Sequence, residues 1–185
     1  MTLRLVEGPT TLPVTVAEAK ANGRIDADAE DALVEALIRA ALGYAERYCG
    51  MAFEAQTWEV VIDKFPENEI ELPLGKVTGV ESVSYVDEDG VIQVVASSDY
   101  VVDLVSRDGW VVPVHGFDWP LTMATINAVT VRFIAGAGTP DDVKQAILLM
   151  VEFWYEQRAT ASETAMQEIP FGSRAILDLH RRMFV

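Results

Sequence analysis

The segment Asp28–Cys49, with the sequence DAEDALVEALIRAALGYAERYC, decides the fold of this chain. Its apolar residues recur at spacings of three and four, so they fall on one face of an α-helix. They are Leu33, Val34, Leu37, Ile38, Ala41, Ala45 and Tyr48. Asp28 can cap the start of the helix, and Gly50 follows its last turn, where a left-handed residue often ends a helix. The pattern predicts a long helix that buries one face in a core.

A second long helix is predicted from Pro140 to about Arg158. Thr139 is a suitable cap, Pro140 suits the first helical position, and Asp141 and Asp142 put negative charge in the first turn. Its apolar residues again share one side, and they are Val143, Ile147, Met150, Val151 and Trp154. Because both helices carry an apolar face and clear end signals, we expect them to pack against each other.

Two shorter helices are predicted near the chain ends. Thr15 and Glu18 have the spacing of a capping box, and the helix they begin should stop near Gly23. Ser173 can cap a final helix over Arg174–Met183.

Between the long helices the hydrophobic period changes from 3.6 to 2, which predicts strands. The alternating segments are Thr57–Asp63, Glu69–Leu74, Val77–Asp87, Val91–Val95, Tyr100–Val105, Trp110–Val114 and Ala128–Ala135. Turn residues predict one hairpin at Asp87–Gly90 and another at Ser106–Gly109. Residues 115–127 should form an ordered loop. The pattern indicates a small antiparallel sheet or sandwich of six or so strands.

The predicted fold class is α+β: a helical core of two long packed helices with short N- and C-terminal helices, and an antiparallel β-rich insertion between the long helices. Residues 1–50 form the N-terminal part of the helical core and residues 51–138 the insertion. Residues 139–185 form the C-terminal part of the core. The first 13 residues, broken by Gly8, Pro9 and Pro13, are expected to be irregular.

Composition limits the function. The chain has 185 residues, half of them hydrophobic, and a net charge of −15. Residues 51–138 alone hold 14 acidic and four basic side chains. Such a surface repels nucleic acid, so it argues against a DNA-reading module while remaining compatible with a wall that DNA passes. Because the sequence has neither a long apolar run nor a signal core, we expect a soluble cytosolic protein without membrane contact. A single cysteine, Cys49, excludes an internal disulfide and a multi-cysteine zinc site.

No catalytic, cofactor or metal site is predicted. Gly136-x-Gly138 resembles a dinucleotide-binding turn, but the third glycine position falls on Asp141. Asp87 and Asp89 lack the further ligands of a calcium loop, so a hairpin turn is the favoured interpretation. The two histidines, His115 and His180, have no ligand partner at helical or hairpin spacing.

The C-terminal segment, residues 170–185, is the basic part of an acidic chain. Its candidate partner-binding residues are Phe171, Arg174, Leu177, Arg181, Arg182, Met183 and Phe184. Arginines there can meet an acidic or mixed surface, while the apolar residues supply anchors. An amphipathic helix packed on its own domain accounts for the same spacing, and the residues alone do not choose between the two.

The order of segments resembles the head–tail connector (adaptor) family of tailed phages and gene transfer agents. The resemblance rests on LPVTVAEAKA, DALVEALIRAALGYAERYCG, TWEVVIDKFP, NAVTVRFIAGAG, PDDVKQAILLMVEFWYEQR and IPFGSRAILDLHR. It implies a ring, commonly of twelve subunits, that assembles in the host cytoplasm beneath the capsid portal. The helical cores would surround a channel that DNA passes without specific binding. The C-terminal segment would grip the portal, and the far side would receive the stopper or tail-terminator protein.

The resemblance also implies a protein of the virion neck that is not an enzyme and carries no cofactor. The alternative from another class is a small α+β domain that binds a ligand or hydrolyses a substrate. A compact monomer with a deep pocket would favour that alternative, whereas a ring of many subunits would favour the connector.

Overall fold

The computed structural model describes residues 1–26, 30–157 and 169–182 and shows an α+β protein, as the sequence predicts. The helices are α1 (Val16–Gly23), α2 (Asp31–Cys49), α3 (Asp141–Gln157) and α4 (Phe171–His180). The strands are β1 (Thr2–Glu7), β2 (Gln56–Ile62), β3 (Ile70–Leu72), β4 (Val77–Val86), β5 (Ile92–Val94), β6 (Tyr100–Asp103), β7 (Gly109–Pro113) and β8 (Val129–Ala135). The chain divides into a sheet unit, Met1–Thr10 with Glu54–Ala137, and a helical unit, Thr11–Phe53 with Gly138–Val185.

The sheet unit contains two antiparallel sheets. One has five strands in the order β1-β2-β8-β4-β5, and the other has three in the order β3-β7-β6. Strand β8 lies in the middle of the larger sheet and alternates between buried and half-buried residues. The buried ones are Val129, Val131, Phe133 and Ala135. This alternation is what a strand with one face in a core requires.

Both predicted hairpins are present, since β4 pairs with β5 and β6 pairs with β7. In the first turn a carboxylate oxygen of Asp87 accepts hydrogen bonds from the amides of Asp89 (3.1 Å) and Val91 (2.8 Å). Gly90 has a φ of 80°, a conformation that costs glycine little. The reversal is encoded by the turn residues themselves, which is why local sequence predicts it.

The N-terminal segment differs from the irregular one that we expected. Thr2–Glu7 forms β1, which pairs antiparallel with β2 and so places residues 1–10 in the sheet unit. The breaking residues Gly8 and Pro9 come after this strand and do not interrupt it. Most residues of β1 are exposed, and its pairing is with a strand distant in sequence. Neither property produces a clear local alternation of apolar and polar residues. For this reason the hydrophobic period of the sequence did not predict β1.

Helix α2 lies at the centre of the helical unit and contacts α1, α3 and α4. It buries Val34, Leu37, Ile38, Ala41, Leu42, Ala45 and Cys49. Leu33 belongs to the predicted apolar face, yet it is exposed. In the described part of the chain no helix is both long and apolar enough to span a membrane.

The helix ends combine predicted and unpredicted contacts. The capping box of α1 is present: the Thr15 hydroxyl accepts from the Glu18 amide (3.1 Å), and the Glu18 carboxylate accepts from the Thr15 amide (2.7 Å). Gly50 ends α2 with a φ of 68°, as predicted. The predicted cap Asp28 and the predicted helix end at Arg158 lie outside the described residues.

Helix α4 begins at Phe171, three residues before the predicted start at Arg174. Ser173 was predicted as the cap, but it lies inside the helix and is buried. Its hydroxyl donates a hydrogen bond of 3.1 Å to the carbonyl oxygen of Ala146 in α3. The serine therefore joins two helices, a role that only the packing of α4 reveals. The predicted end of this helix, Met183, lies outside the described residues.

Candidate partner-binding surface

Helix α4 packs on the other helices of its own unit. Leu177 is fully buried in the cluster formed by the helical unit. The thiol of Cys49, at the end of α2, donates to the Leu177 carbonyl oxygen at 3.5 Å. Together with the Ser173 hydrogen bond to α3, these contacts hold the helix by one face. The described part of the C-terminal segment is thus a packed amphipathic helix, one of the two arrangements that the sequence left open.

Side-chain hydrogen bonds hold the C-terminal end of α4. The Tyr48 hydroxyl donates to the Asp178 carboxylate at 2.5 Å. His180 Nε2 lies 2.7 Å from Oδ2 of Asp142 in α3. The hydrogen bond from His180 is the main reason that the pKa of Asp142 lies below its usual value. One contact ties α4 to α2 and the other ties it to α3.

The opposite face of α4 carries exposed apolar residues. Phe171 is 87% exposed and Leu179 is 80% exposed. They are eight residues apart, with exposed Ala175 midway, so all three share one face of the helix. We call Phe171, Ala175 and Leu179 the outer stripe. Two large apolar side chains exposed on one face make the outer stripe a candidate contact surface.

The seven predicted partner-binding residues are distributed over both faces of α4 and beyond it. Phe171, Arg174 and Arg181 are exposed, whereas Arg182 is half-buried and Leu177 is buried. Met183 and Phe184 lie outside the described residues. The guanidinium of Arg181 lies 5.5 Å from the centre of the Tyr48 ring. Interaction with the Tyr48 hydroxyl raises the pKa of Arg174. Leu179 was not in the predicted set, although its spacing of eight residues from Phe171 places it on the same exposed face of the helix.

In the sheet unit, an ion cluster around one buried glutamate crosses three neighbouring strands. Glu59 of β2 is only 3% exposed and lies opposite Arg4 of β1 and Arg132 of β8. Arg132 donates to Glu59 Oε1 through Nε (3.0 Å) and Nη2 (2.7 Å), and Arg4 donates to Oε2. Burial by itself raises the pKa of Glu59, but the hydrogen bonds from both arginines bring it below its usual value. Both carboxylate oxygens are occupied, so this cluster is structural.

A long loop, residues 114–128, joins β7 to β8 and is anchored by aromatic rings. Trp119 stacks on Phe65 with ring centres 4.7 Å apart, and its Nε1 donates to the Asn68 carbonyl oxygen at 2.9 Å. The side chains of Leu121, Met123 and Ile126 remain exposed. The clefts beside this loop are open to solvent. The loop therefore carries exposed apolar side chains beside open clefts.

The glycine pair and the aspartate turn, which resemble a nucleotide-binding turn and a calcium loop in sequence, both have structural roles. Gly136 has a φ of 99°, and a Cβ there would lie 2.1 Å from the carbonyl oxygen of Glu54. Close approach of two backbone segments therefore requires this glycine. The carboxylate of Asp87 accepts hydrogen bonds within its own hairpin. Within residues 1–26, 30–157 and 169–182, no three His, Cys, Asp or Glu side chains are grouped to hold a metal ion.

The sequence model of the head completion protein family matches residues 14–183 of this chain. No curated protein matches the chain significantly. Among solved structures, the neck of an empty gene transfer agent (GTA) particle computed with C6 symmetry matches with a TM-score of 0.80 and 25% identity. The neck of a native GTA particle computed with C12 symmetry matches with a TM-score of 0.76 and 25% identity.

The virion of a native GTA particle also matches, with a TM-score of 0.81 and 24% identity. Each of these three matches covers 100% of this chain and 97% of the matched one. Two of the matched structures are necks of GTA particles, and the matched family is that of head completion proteins. These matches are to structural proteins of a particle and not to an enzyme.

Proposed function

The chain belongs to the head completion protein family, and on this premise we propose that it forms a ring beneath the portal of a phage or GTA particle. The ring would connect the capsid to the stopper or tail-terminator protein and line the DNA channel. The observation that supports this most is the match to GTA necks over the whole chain at 25% identity. We propose twelve copies, because one of those necks was computed with C12 symmetry.

The portal is the proposed partner of α4. The outer stripe supplies apolar anchors, and Arg174 and Arg181 lie on the same short segment of a chain whose net charge is −15. Opposite charge would steer the encounter, and the exposed Phe171 and Leu179 would supply affinity once water is expelled. Leu177 contributes indirectly, since its burial holds α4 in place. Met183 and Phe184 remain part of the proposed contact.

Passage of DNA is proposed to depend on repulsion. The helical parts, residues 1–50 and 139–185, would surround the channel, and the β-rich part, residues 51–138, carries most of the negative charge. Because phosphates bind proteins mainly through lysine and arginine, a wall with excess carboxylates lets DNA slide without binding it. The side of the ring away from the portal would receive the stopper.

Mixing the purified chain with purified portal protein tests the proposal. We expect rings of twelve copies on the portal, counted by electron microscopy and by native mass spectrometry. The chain alone and the portal alone are the controls, because family members need not assemble without a portal. A chain that stays monomeric and unbound in the presence of portal would refute the proposed function.

A further inference from the structure

The turn between β6 and β7 holds an apolar side chain out in solvent. Val105 is 91% exposed, more than any other large apolar side chain in the described part of the chain. The Asp103 carboxylate accepts hydrogen bonds from the amides of Val105 (2.8 Å) and Ser106 (3.1 Å) and from the Ser106 hydroxyl (2.5 Å). These bonds fix the shape of the turn, and the exposed Arg107 follows it. We call residues 104–107 the tip.

The loop of residues 114–128 borders an acidic and apolar recess. Its two clefts, of about 400 and 530 Å³, adjoin each other because Lys64 and Thr122 line both. We call this double cleft the socket. Three carboxylates against one lysine leave it with an excess of negative charge. Its exposed apolar and acidic side chains are Leu121, Met123, Ile126, Asp63, Glu67 and Asp118.

The tip and the socket lie at opposite ends of the sheet unit. Gly109, two residues after the tip, lies at the beginning of β4, where a Cβ on it would be 2.7 Å from Cγ2 of Val77. The other end of β4 is Val86, whose carbonyl oxygen accepts a hydrogen bond of 3.0 Å from the amide of Met123 in the socket. A strand of ten residues spans about 30 Å. The tip therefore cannot enter the socket of its own chain.

We infer that, in the ring, the tip of each copy enters the socket of the next copy; this rests on the proposed function. Neighbours in a closed ring meet through two different surfaces of the same chain, and every copy carries one tip and one socket. Val105 would be covered by the apolar side chains of the socket, which removes its apolar surface from water. One of the matched necks was computed with C12 symmetry, and such a ring repeats a single contact between all neighbours.

Charge supports a second copy as the occupant. Arg107 is the exposed ionic residue of the tip, whereas the flanking Asp103 and Asp108 are half-buried. The Asp103 carboxylate is also engaged by the amides and the hydroxyl of its own turn. Arg107 would therefore meet the carboxylates of the socket, and opposite charges would fix the orientation of the contact.

Cysteine cross-linking of rings assembled with portal tests the inference. Val105→Cys combined with Leu121→Cys or with Ile126→Cys should give a ladder of linked subunits when treated with a short bismaleimide. The two cysteines of one chain are too far apart to be linked to each other. Val105→Cys alone should give no dimer, because a head-to-tail contact does not bring two tips together. Val105→Cys with Leu179→Cys, which is exposed on α4, should also give no ladder. The native Cys49 is buried and does not interfere.

Exchange of charge provides the second measurement. Arg107→Glu should weaken ring assembly on portal by about tenfold or more, since a carboxylate would then meet the acidic socket. Adding Glu67→Lys and Asp118→Lys to the same chain should restore most of the assembly, a rescue that damage to the fold would not allow. Val94→Glu is the matched control, because Val94 is 66% exposed in β5 and outside both surfaces, and it should assemble normally.

The outcomes separate this contact from the proposed function. Rings that form on the portal but stay unlinked in both cysteine pairs would overturn the tip-and-socket contact alone. Assembly of Arg107→Glu at the level of the native chain would do the same. Failure of the native chain to form any ring would overturn the proposed function and the contact with it.

Discussion

His180 Nε2 lies 2.7 Å from Oδ2 of Asp142, and this contact joins the last turn of α4 to the first turn of α3. The hydrogen bond from His180 is the main cause of the lowered pKa of Asp142. A carboxyl group whose pKa is lower in the folded state stabilises the fold above its unfolded pKa. That contribution is lost as pH falls through the folded pKa. The docking of α4 should therefore weaken in acid.

Asp142→Asn tests this linkage. We expect a loss of about 0.5 kcal/mol in the free energy of unfolding near pH 7, since the side chain is half exposed and water screens the pair. The difference from the native chain should shrink as pH falls below about 4. Urea denaturation across this range measures it, and Asp141→Asn in the same helical turn is the control. A constant difference at all pH values would contradict the linkage.

The ion cluster around Glu59 predicts that removing the arginines costs more than removing the glutamate. The double variant Arg4→Gln with Arg132→Gln should lose about 3 kcal/mol, because it leaves a buried carboxylate without cations. Glu59→Leu should lose less than about 1 kcal/mol, since both arginine side chains can turn to water. Urea denaturation of the two variants gives the order. Equal losses would mean that Glu59 reaches solvent when it is unpaired.

The core of the helical unit predicts a contrast between two leucines of α2. Leu37 is buried and Leu33 is exposed. Leu37→Ala should cost about 2–5 kcal/mol because it leaves a cavity. Leu33→Ala should cost less than about 1 kcal/mol because little apolar area is exposed by it. Melting temperatures measure both, and an unchanged value for Leu37→Ala would count against the packing of α2 in this core.

The two faces of α4 should respond differently to substitution. Phe171→Ser with Leu179→Ser should leave stability nearly unchanged and weaken portal binding by about tenfold or more, because these side chains are exposed anchors. Val94→Ser, exposed in the sheet unit, is the control. Binding is measured by surface plasmon resonance on immobilised portal. Full-strength binding by the double variant would place the portal contact elsewhere.

Leu177→Ala is the complement, and it should cost about 2–5 kcal/mol of stability. For the same reason, deletion of residues 170–185 is a poor test of portal binding. It would remove Leu177 and Ser173 from the core, so lost binding would be confused with lost structure. Substitutions on the outer stripe avoid that problem.

The sequence by itself was sufficient for the features that short segments encode. Spacing of apolar residues identified α2 and α3, and turn chemistry located the hairpin at Asp87–Gly90. The capping box at Thr15 and the left-handed end at Gly50 were also read correctly. Each of these depends on residues within about one or two turns of each other. The α+β class followed from the same local patterns, and the acidic character followed from composition.

Only the tertiary structure decided which distant segments meet. It paired β1 with β2, placed Glu59 between two arginines from other strands, and turned Ser173 from a predicted cap into a buried donor. It also separated Leu177, which holds α4, from Phe171 and Leu179, which remain exposed. These outcomes depend on pairing and burial between residues far apart in the chain. The contacts that stabilise the fold there form between distant segments, so the sequence of one segment does not reveal them.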